Sequence, residues 1–396
     1  MKNEWYHTCK KRTGGHRLEK GFTLMEFMIA SAIMLVVVLA TLSLYMESNR
    51  ISVDQQQFTE IQHDARAAMF FISRDLKSLG AGLPEEFGGY YLQGVNNDPN
   101  QSSLDFQSDR LTILGNADPL RLLIQSYTPG TGTINLEPNE YIHYPYTDTV
   151  YPDDATGYLN RLILICPNPT QNSVNAELGQ ITGVDLMANQ ISFTTINISL
   201  PNNLQPGGVE GDYVAGTVQF IELKTYWLDM DGNYPGLSAG SDGYIGEPNV
   251  LYVSRFNPST GVLEHQPLAR NIEDLQFQYH GDLDGAAGLD DNNNNGLIDN
   301  GDFLNWDDLR MWTDDPTVVI GIRRVRIFIL ARTLNAYTSI SGTPPAMARY
   351  VYGKPPIADS PAAAQPDKHR RFLLDSTSNI RNMSLGVYNA AHDQGY

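Results

Sequence analysis

Residues 22–46 read FTLMEFMIASAIMLVVVLATLSLYM, 25 residues whose one charge is Glu26. At about 1.5 Å per residue such a helix runs about 37 Å, enough to cross a hydrocarbon layer of about 30 Å with some tilt. Residues 1–20 carry Lys2, Lys10, Lys11, Arg12, Arg17 and Lys20 against Glu4 and Glu19, a net charge of +4. That basic flank predicts residues 1–21 on the cytoplasmic side and the rest of the chain outside. A secretory signal peptide has a shorter apolar core ending in a small-residue cleavage site. Here Met46 is followed by ESNRISVD, so the apolar run is expected to stay attached. Glu26 is the anomaly, because a carboxylate in a spanning helix costs about 2.5–3.5 kcal/mol on insertion scales. Its position alone leaves two readings open: a side chain snorkelling to the interface, or one with a partner and a task.

Helical spacing continues past the apolar run. Phe58, Ile61, Ala65, Ala68, Ile72, Leu76 and Leu79 fall at steps of three and four, one stripe of a helix. Asp54, Gln56, Glu60, Asp64, Arg74 and Lys77 lie off that stripe, and no proline occurs before Pro84. Gly80-Ala81-Gly82 supplies a stop. The pattern predicts one helix from about 22 to 79, apolar all round over 22–46 and amphipathic over 47–80.

From about residue 104 the pattern becomes that of strands. Short apolar runs at 110–114, 121–124, 141–144, 161–165, 191–196, 218–228 and 250–256 are separated by Asn, Pro, Gly and Asp clusters. Leu275, Phe277 and Tyr279 alternate with glutamines, and Val325, Ile327 and Ile329 with arginines; Phe372 and Leu374 mark a terminal strand. The order predicts an α+β fold: one long N-terminal helix packed on a mostly antiparallel sheet with large loop insertions. Residues 81–340 are the β-rich globular part. Six prolines make 341–368 a Pro/Ala-rich loop rather than a packed element, and 369–396 hold a last strand and tail.

Composition removes several functions. A formal charge of −18 argues against nucleic acid as a direct partner, since counterion release needs a basic face. Two cysteines cannot build a disulfide scaffold, and Cys166, next to the apolar run 162–165, reads as a buried small hydrophobe. Gly236-Leu237-Ser238-Ala239-Gly240 matches the hydrolase elbow in letters, but its flanks are turn-forming rather than strand and helix. The eight histidines form no metal-protease motif, His63 on the amphipathic helix is expected in solvent, and no phosphate loop or dinucleotide fingerprint occurs. An enzyme is not expected.

Lys20-Gly21-Phe22-Thr23-Leu24-Met25-Glu26, set between a basic leader and an apolar helix, resembles the type IV prepilin signature. The resemblance implies cleavage after Gly21 by prepilin peptidase, N-methylation of Phe22, and pairing of Glu26 with the freed amine of a neighbouring subunit. Removing a +4 leader from a −18 chain leaves −22. Many major pilins carry a helix-kinking proline in the apolar half; this chain has none there, a departure from the repeating subunit. Farther on, Asn271–Tyr279, Arg323–Leu330 running into Ala331-Arg332-Thr333, Arg370-Arg371-Phe372 and Ile380-Arg381-Asn382 are similar to the PilW family of minor pilins. That likeness implies a pilin-like fold and a low-abundance subunit that primes or caps a type IV pilus. It would sit in the inner membrane with its C-terminal domain in the periplasm, or in the extracellular pilus. Its partners would be major and minor pilins and the inner-membrane assembly platform. Two other readings remain: a J-type pseudopilin of type II secretion, and a pilus-tip adhesin using the insertions at 85–260. Tyr141, Tyr144, Tyr146 and Tyr151 would suit the latter, or be half-buried strand residues.

Residues 282–302 read DLDGAAGLDDNNNNGLIDNGD. Asp291, Asn293 and Asn295 take the first, third and fifth places of a calcium loop, Gly296 the turn, the Leu297 carbonyl the seventh and Asp299 the ninth. Asp302 stands where an EF-hand has glutamate, which predicts weak affinity. The alternative is a solvated Asn/Asp/Gly turn; Asp229-x-Asp231-Gly232 is read as a plain hairpin turn. Isothermal titration of the purified chain with calcium should give heat that Asp291→Ala abolishes; identical heats from both would mean a bare turn.

Overall fold

Residues 24–77 hold six alanines, six leucines and five methionines, no proline or glycine interrupts them, and the segment forms one helix, α1 (Leu24–Lys77). In this computed structural model the described residues are 23–79, 92–96, 108–127, 132–138, 155–168, 176–195, 213–230, 249–257, 260–281, 322–334, 354–358, 360, 362 and 369–380. Contacts divide the chain into two units, Met1–Gln56 and Gln57–Tyr396. In the first, α1 is long and apolar enough to cross a membrane, and none of its most apolar 18-residue window is buried within the protein.

In the second unit the stripe read from the spacing is the buried one. Ile61, Ala65, Ala68, Met69, Ile72 and Leu76 are inside, while Glu60, His63, Arg66, Phe70, Arg74 and Lys77 face out. Phe58 is half-buried against the same core.

Among the described residues twelve strands follow. They are β1 (Leu92–Val95), β2 (Arg110–Tyr127), β3 (Thr133–Leu136), β4 (Leu162–Cys166), β5 (Glu177–Asp185), β6 (Gln190–Thr195), β7 (Thr217–Asp229), β8 (Val250–Asn257), β9 (Val262–Ala269), β10 (Ile272–Gly281), β11 (Ile322–Arg332) and β12 (Arg371–Asn379). Every pairing among them is antiparallel. Among the described residues the fold is α+β with a single α-helix, as the element order predicted.

Two long strands organise the larger sheet. β7 pairs along its length with β2 on one side; on the other it pairs first with β4 and then with β8. The first half of β2 and second half of β7 therefore lie in an open layer, β1-β2-β7-β8-β9. Leu111, Ile113, Tyr226, Leu228 and Leu251 of this layer share one core with the helix stripe. The other halves close a ring, β2-β3-β6-β5-β4-β7 and back to β2. Six strands satisfy the even count that an all-antiparallel closure requires, and closure leaves no edge. Ile124, Ile134, Ile163, Ile181, Phe193 and Phe220, one from each strand, fill its interior with a core of their own. A Cβ on Gly179 would strike the Phe193 ring there, so the strand needs glycine at that point.

The smaller sheet, β10-β11-β12, is flat-patterned and two-faced. Leu275, Phe277, Val325, Ile327 and Ile329 join the helix core. Phe328 and Leu330 point to the other face, where Ile357 packs on them. The helix holds this sheet through aromatic contacts: Phe58 meets Phe372 edge-on at 6.4 Å, and the Arg370 guanidinium sits 4.2 Å over Phe58.

Several expectations change. The runs at 110–114 and 121–124 are one strand, β2, whose pairing with β7 shifts register between Asn116 and Arg121. Strands β1, β3, β5 and β9 were not read from the sequence; glycine in β1 and β5, proline in β9 and four-residue lengths in β1 and β3 hid them. Within the Pro/Ala-rich stretch Lys354, Ile357 and Ser360 are packed rather than loose: all three are buried, and Ile357 bridges to Ser360. Asp229 ends β7 as a buried residue, its carbonyl accepting the Asn249 amide at 2.7 Å. Cys166 is buried, as its place beside the apolar run implied. The expected strand at 141–144, Tyr146, Tyr151 and the Gly236–Gly240 loop lie outside the described residues.

Truncating Phe220 to alanine removes a ring from the closed barrel, where collapse is hindered on all sides. Urea unfolding of the detergent-solubilised chain should show a loss of about 3–5 kcal/mol; a loss below 1 kcal/mol would mean the ring is not a packed core.

Candidate functional site

The start of α1 carries a local device. Thr23 Oγ1 accepts the Glu26 amide at 3.2 Å, and Glu26 Oε2 accepts the Thr23 amide at 2.9 Å. This is a reciprocal capping box, which satisfies two amides that a helix start leaves unpaired. Thr23 Oγ1 also donates to Glu26 Oε2 at 3.0 Å. The T-x-x-E spacing was legible in the sequence; the prepilin reading drew attention to the charge of Glu26 and away from its neighbour. The carboxylate is thus held at the helix N-terminus, where the helix dipole also favours it, and remains exposed at the protein surface. Around it Leu24, Met25 and Phe27 are exposed as well, so this end of the helix offers a charge ringed by apolar side chains. Gly21 and Phe22, the expected processing residues, lie outside the described residues.

At the other end of α1 the helix is tied to the open sheet by a buried ionic cluster. Asp75 accepts a 2.6 Å hydrogen bond from the Tyr226 hydroxyl and lies 3.2 Å from both Lys224 and Arg74. Lys224 also reaches Glu222 at 3.0 Å. Burial alone pushes the Asp75 carboxyl up, but the Tyr226, Lys224 and Arg74 contacts outweigh it and hold the group below the ordinary carboxylate range. Burial, then the hydrogen bond to Asp75, pushes the Tyr226 hydroxyl well up. None of these partners is within 140 positions of Asp75 except Arg74, so no sequence pattern announces the cluster.

The segments that resembled the PilW family meet in the smaller sheet. Ile272–Tyr279 falls on β10 with Asn271 in the turn before it, Arg323–Arg332 on β11 and Arg371-Phe372 on β12. Glu273 takes both nitrogens of the Arg371 fork, Nε at 2.5 Å and Nη2 at 2.8 Å, with Arg332 at 3.5 Å. Main-chain bonds close the corners: Arg332 amide to Asn271 carbonyl, Thr333 amide to Arg370 carbonyl, and Ile380 amide to Arg323 carbonyl, each 2.9 Å. Asn271 holds φ +58°, a left-handed turn conformation that asparagine tolerates. These motif residues therefore serve the sheet's own architecture. Residues 381 and 382 of the last motif lie outside the described residues.

The expected calcium ligands Asp291, Asn293, Asn295, Leu297, Asp299 and Asp302 also lie outside them. Among the described residues no group of three or more His, Cys, Asp or Glu side chains could hold a metal ion.

Against known proteins, residues 16–42 match the family model described as the prokaryotic N-terminal methylation motif. No curated protein and no solved structure matches the chain. The match covers Arg17 and Lys20 just before Gly21, the capping box and most of the apolar half of the helix. It supports a type IV pilin-like or pseudopilin-like chain, processed by prepilin peptidase and assembled with other pilins in general terms.

Asp75 gives a pH signature. Its folded pKa lies below the unfolded value near 3.9, so its stabilisation is complete above about pH 4 and is lost as pH falls through the folded value. Near pH 7, Asp75→Ala should cost about 3 kcal/mol in urea melts by stranding Lys224 and Tyr226, and the gap to wild type should narrow below about pH 4. A gap that stays constant with pH would remove the carboxylate from the account.

Proposed function

We propose that this chain is a minor pilin: a low-abundance structural subunit that initiates or caps a type IV pilus after prepilin peptidase removes residues 1–21. The observation that carries the reading is the methylation motif at 16–42, which runs into a helix whose most apolar 18-residue window has no residue buried within the protein. The subunit sits in the inner membrane through residues 22–46, with the globular part in the periplasm, and passes into the filament with other pilins at the assembly platform. Its role is assembly rather than catalysis, and calcium held by the 291–302 loop belongs to the same reading as a stiffener of the exported domain. The PilW-like motifs supply the family assignment. A J-type pseudopilin would share the leader and helix; a gene neighbourhood encoding secretion rather than pilus components would favour it.

In the membrane an isolated carboxylate is expensive, and so is a charged amine, but a pair of them is tolerable. Glu26 is expected to leave its own capping box, or share it, to meet the methylated amine of the adjacent protomer. A second reading, a ligand-binding tip subunit, is favoured by the closed six-stranded barrel, which is built beside the helix-bearing sheet and is not needed to cover the helix.

Glu26 has two candidate tasks, and one substitution separates them. Glutamine keeps the capping box but not the charge. Glu26→Gln and Glu26→Ala should both insert in the membrane and both fail to enter filaments, scored by immunoblot of sheared pili. Filament entry by Glu26→Gln at wild-type levels would make the residue a cap and not a docking charge.

A further inference from the structure

Lys354 and Asp274 are 80 positions apart, and both side chains are wholly buried, each at 0% exposure. Lys354 Nζ lies 2.9 Å from Asp274 Oδ2, yet the contact lacks hydrogen-bond geometry. The two oxygens of Asp274 are treated differently. Oδ1 accepts the Ser108 hydroxyl at 3.0 Å and the Gln276 side-chain amide at 2.9 Å. Oδ2 faces the amine. The amine in turn donates to Ser360 Oγ at 2.7 Å.

As an ion pair this is a poor arrangement. Two charges taken fully out of water are repaid only when geometry is excellent and the remaining polar atoms are bonded, and here the direct contact is misdirected. As a reacting pair it is a good one. The nucleophile sits beside the carboxyl, one oxygen is held by two donors in the manner of an oxyanion hole, and the other is placed to leave.

We propose that Lys354 and Asp274 condense into an isopeptide bond. The reaction runs from the neutral pair, reached when one proton crosses the 2.9 Å contact from Nζ to Oδ2. The Nζ lone pair attacks Cγ and forms the C–N bond. Oδ1 carries the negative charge of the tetrahedral intermediate against Ser108 and Gln276. A proton passes from Nζ to Oδ2, the Cγ–Oδ2 bond breaks, and one water departs. The product is a secondary amide; nothing is oxidised or reduced. Effective molarities of about 10⁵–10⁸ M for groups held in such contact drive an otherwise balanced condensation forward, and loss of both charges removes the cost of burying them.

The bond would close a covalent loop between β10 and the packed 354–360 segment. That segment covers Phe328 and Leu330 on the face of the smaller sheet away from the helix. A subunit pulled along its filament would gain resistance to peeling of that sheet. The inference does not depend on the proposed function, since it concerns the chemistry of two side chains inside the globular unit.

Peptide mapping by mass spectrometry of the full chain, purified in detergent, tests it. The result expected is one linked peptide pair containing residues 274 and 354, lighter than its two parts by one water. Lys354→Arg keeps the positive charge and cannot form the lysyl amide, so its two peptides should separate at full mass. Unlinked wild-type peptides at full mass would overturn the proposal, and so would a loss of water that persists in Lys354→Arg.

Discussion

An α-helix with 19 apolar residues among its first 23, none of them buried within its own protein, must find an apolar environment elsewhere. That constraint organises the rest. The same helix, some thirty residues later, carries a stripe that is fully buried under two sheets. One continuous element therefore serves two solvents, and its sequence changes from apolar all round to amphipathic where the requirement changes. The globular unit is built around the second half.

The two sheets meet that demand differently. The open layer offers Leu111, Tyr226 and Leu251 to the helix and fixes it through the buried Asp75 cluster. The smaller sheet offers Val325, Ile327 and Ile329 on one face and receives the 354–360 segment on its other. The closed barrel is separate from this work. Its core shares no residue with the helix core, and it is joined to the open layer by the continuation of β2 and β7. An outgrowth of this kind adds surface without disturbing the part that carries the helix.

Much of this was legible before any coordinates. Steps of three and four from Phe58 to Leu79 named the buried helix face, and alternation in 275–279 and 325–329 named the strands under it. Both signals are local, because the period of a helix or strand is local. The barrel was not legible, since closure depends on which strands meet, and β2 reads as two runs across its register shift at Asn116–Arg121. Gly94, Gly179 and Pro267 disguised three strands whose pairing partners, rather than propensity, make them extended. The buried Lys354 was hidden by composition: proline and alanine around it indicate a loose loop, and only the fold brings Asp274 to it. At the N-terminus the letters that carry the prepilin resemblance also encode the capping box, so the observed cap and the proposed docking charge fall on one carboxylate.

Everything then rests on whether the leader is removed, because only a freed amine at residue 22 gives Glu26 a partner in the membrane and the helix a place in a filament. N-terminal mass analysis of the chain taken from its native membranes is the direct measurement. The account predicts a terminus at Phe22 bearing one methyl group. A chain that still begins at Met1, with residues 1–21 attached, would contradict it and leave a tethered domain that joins no fibre.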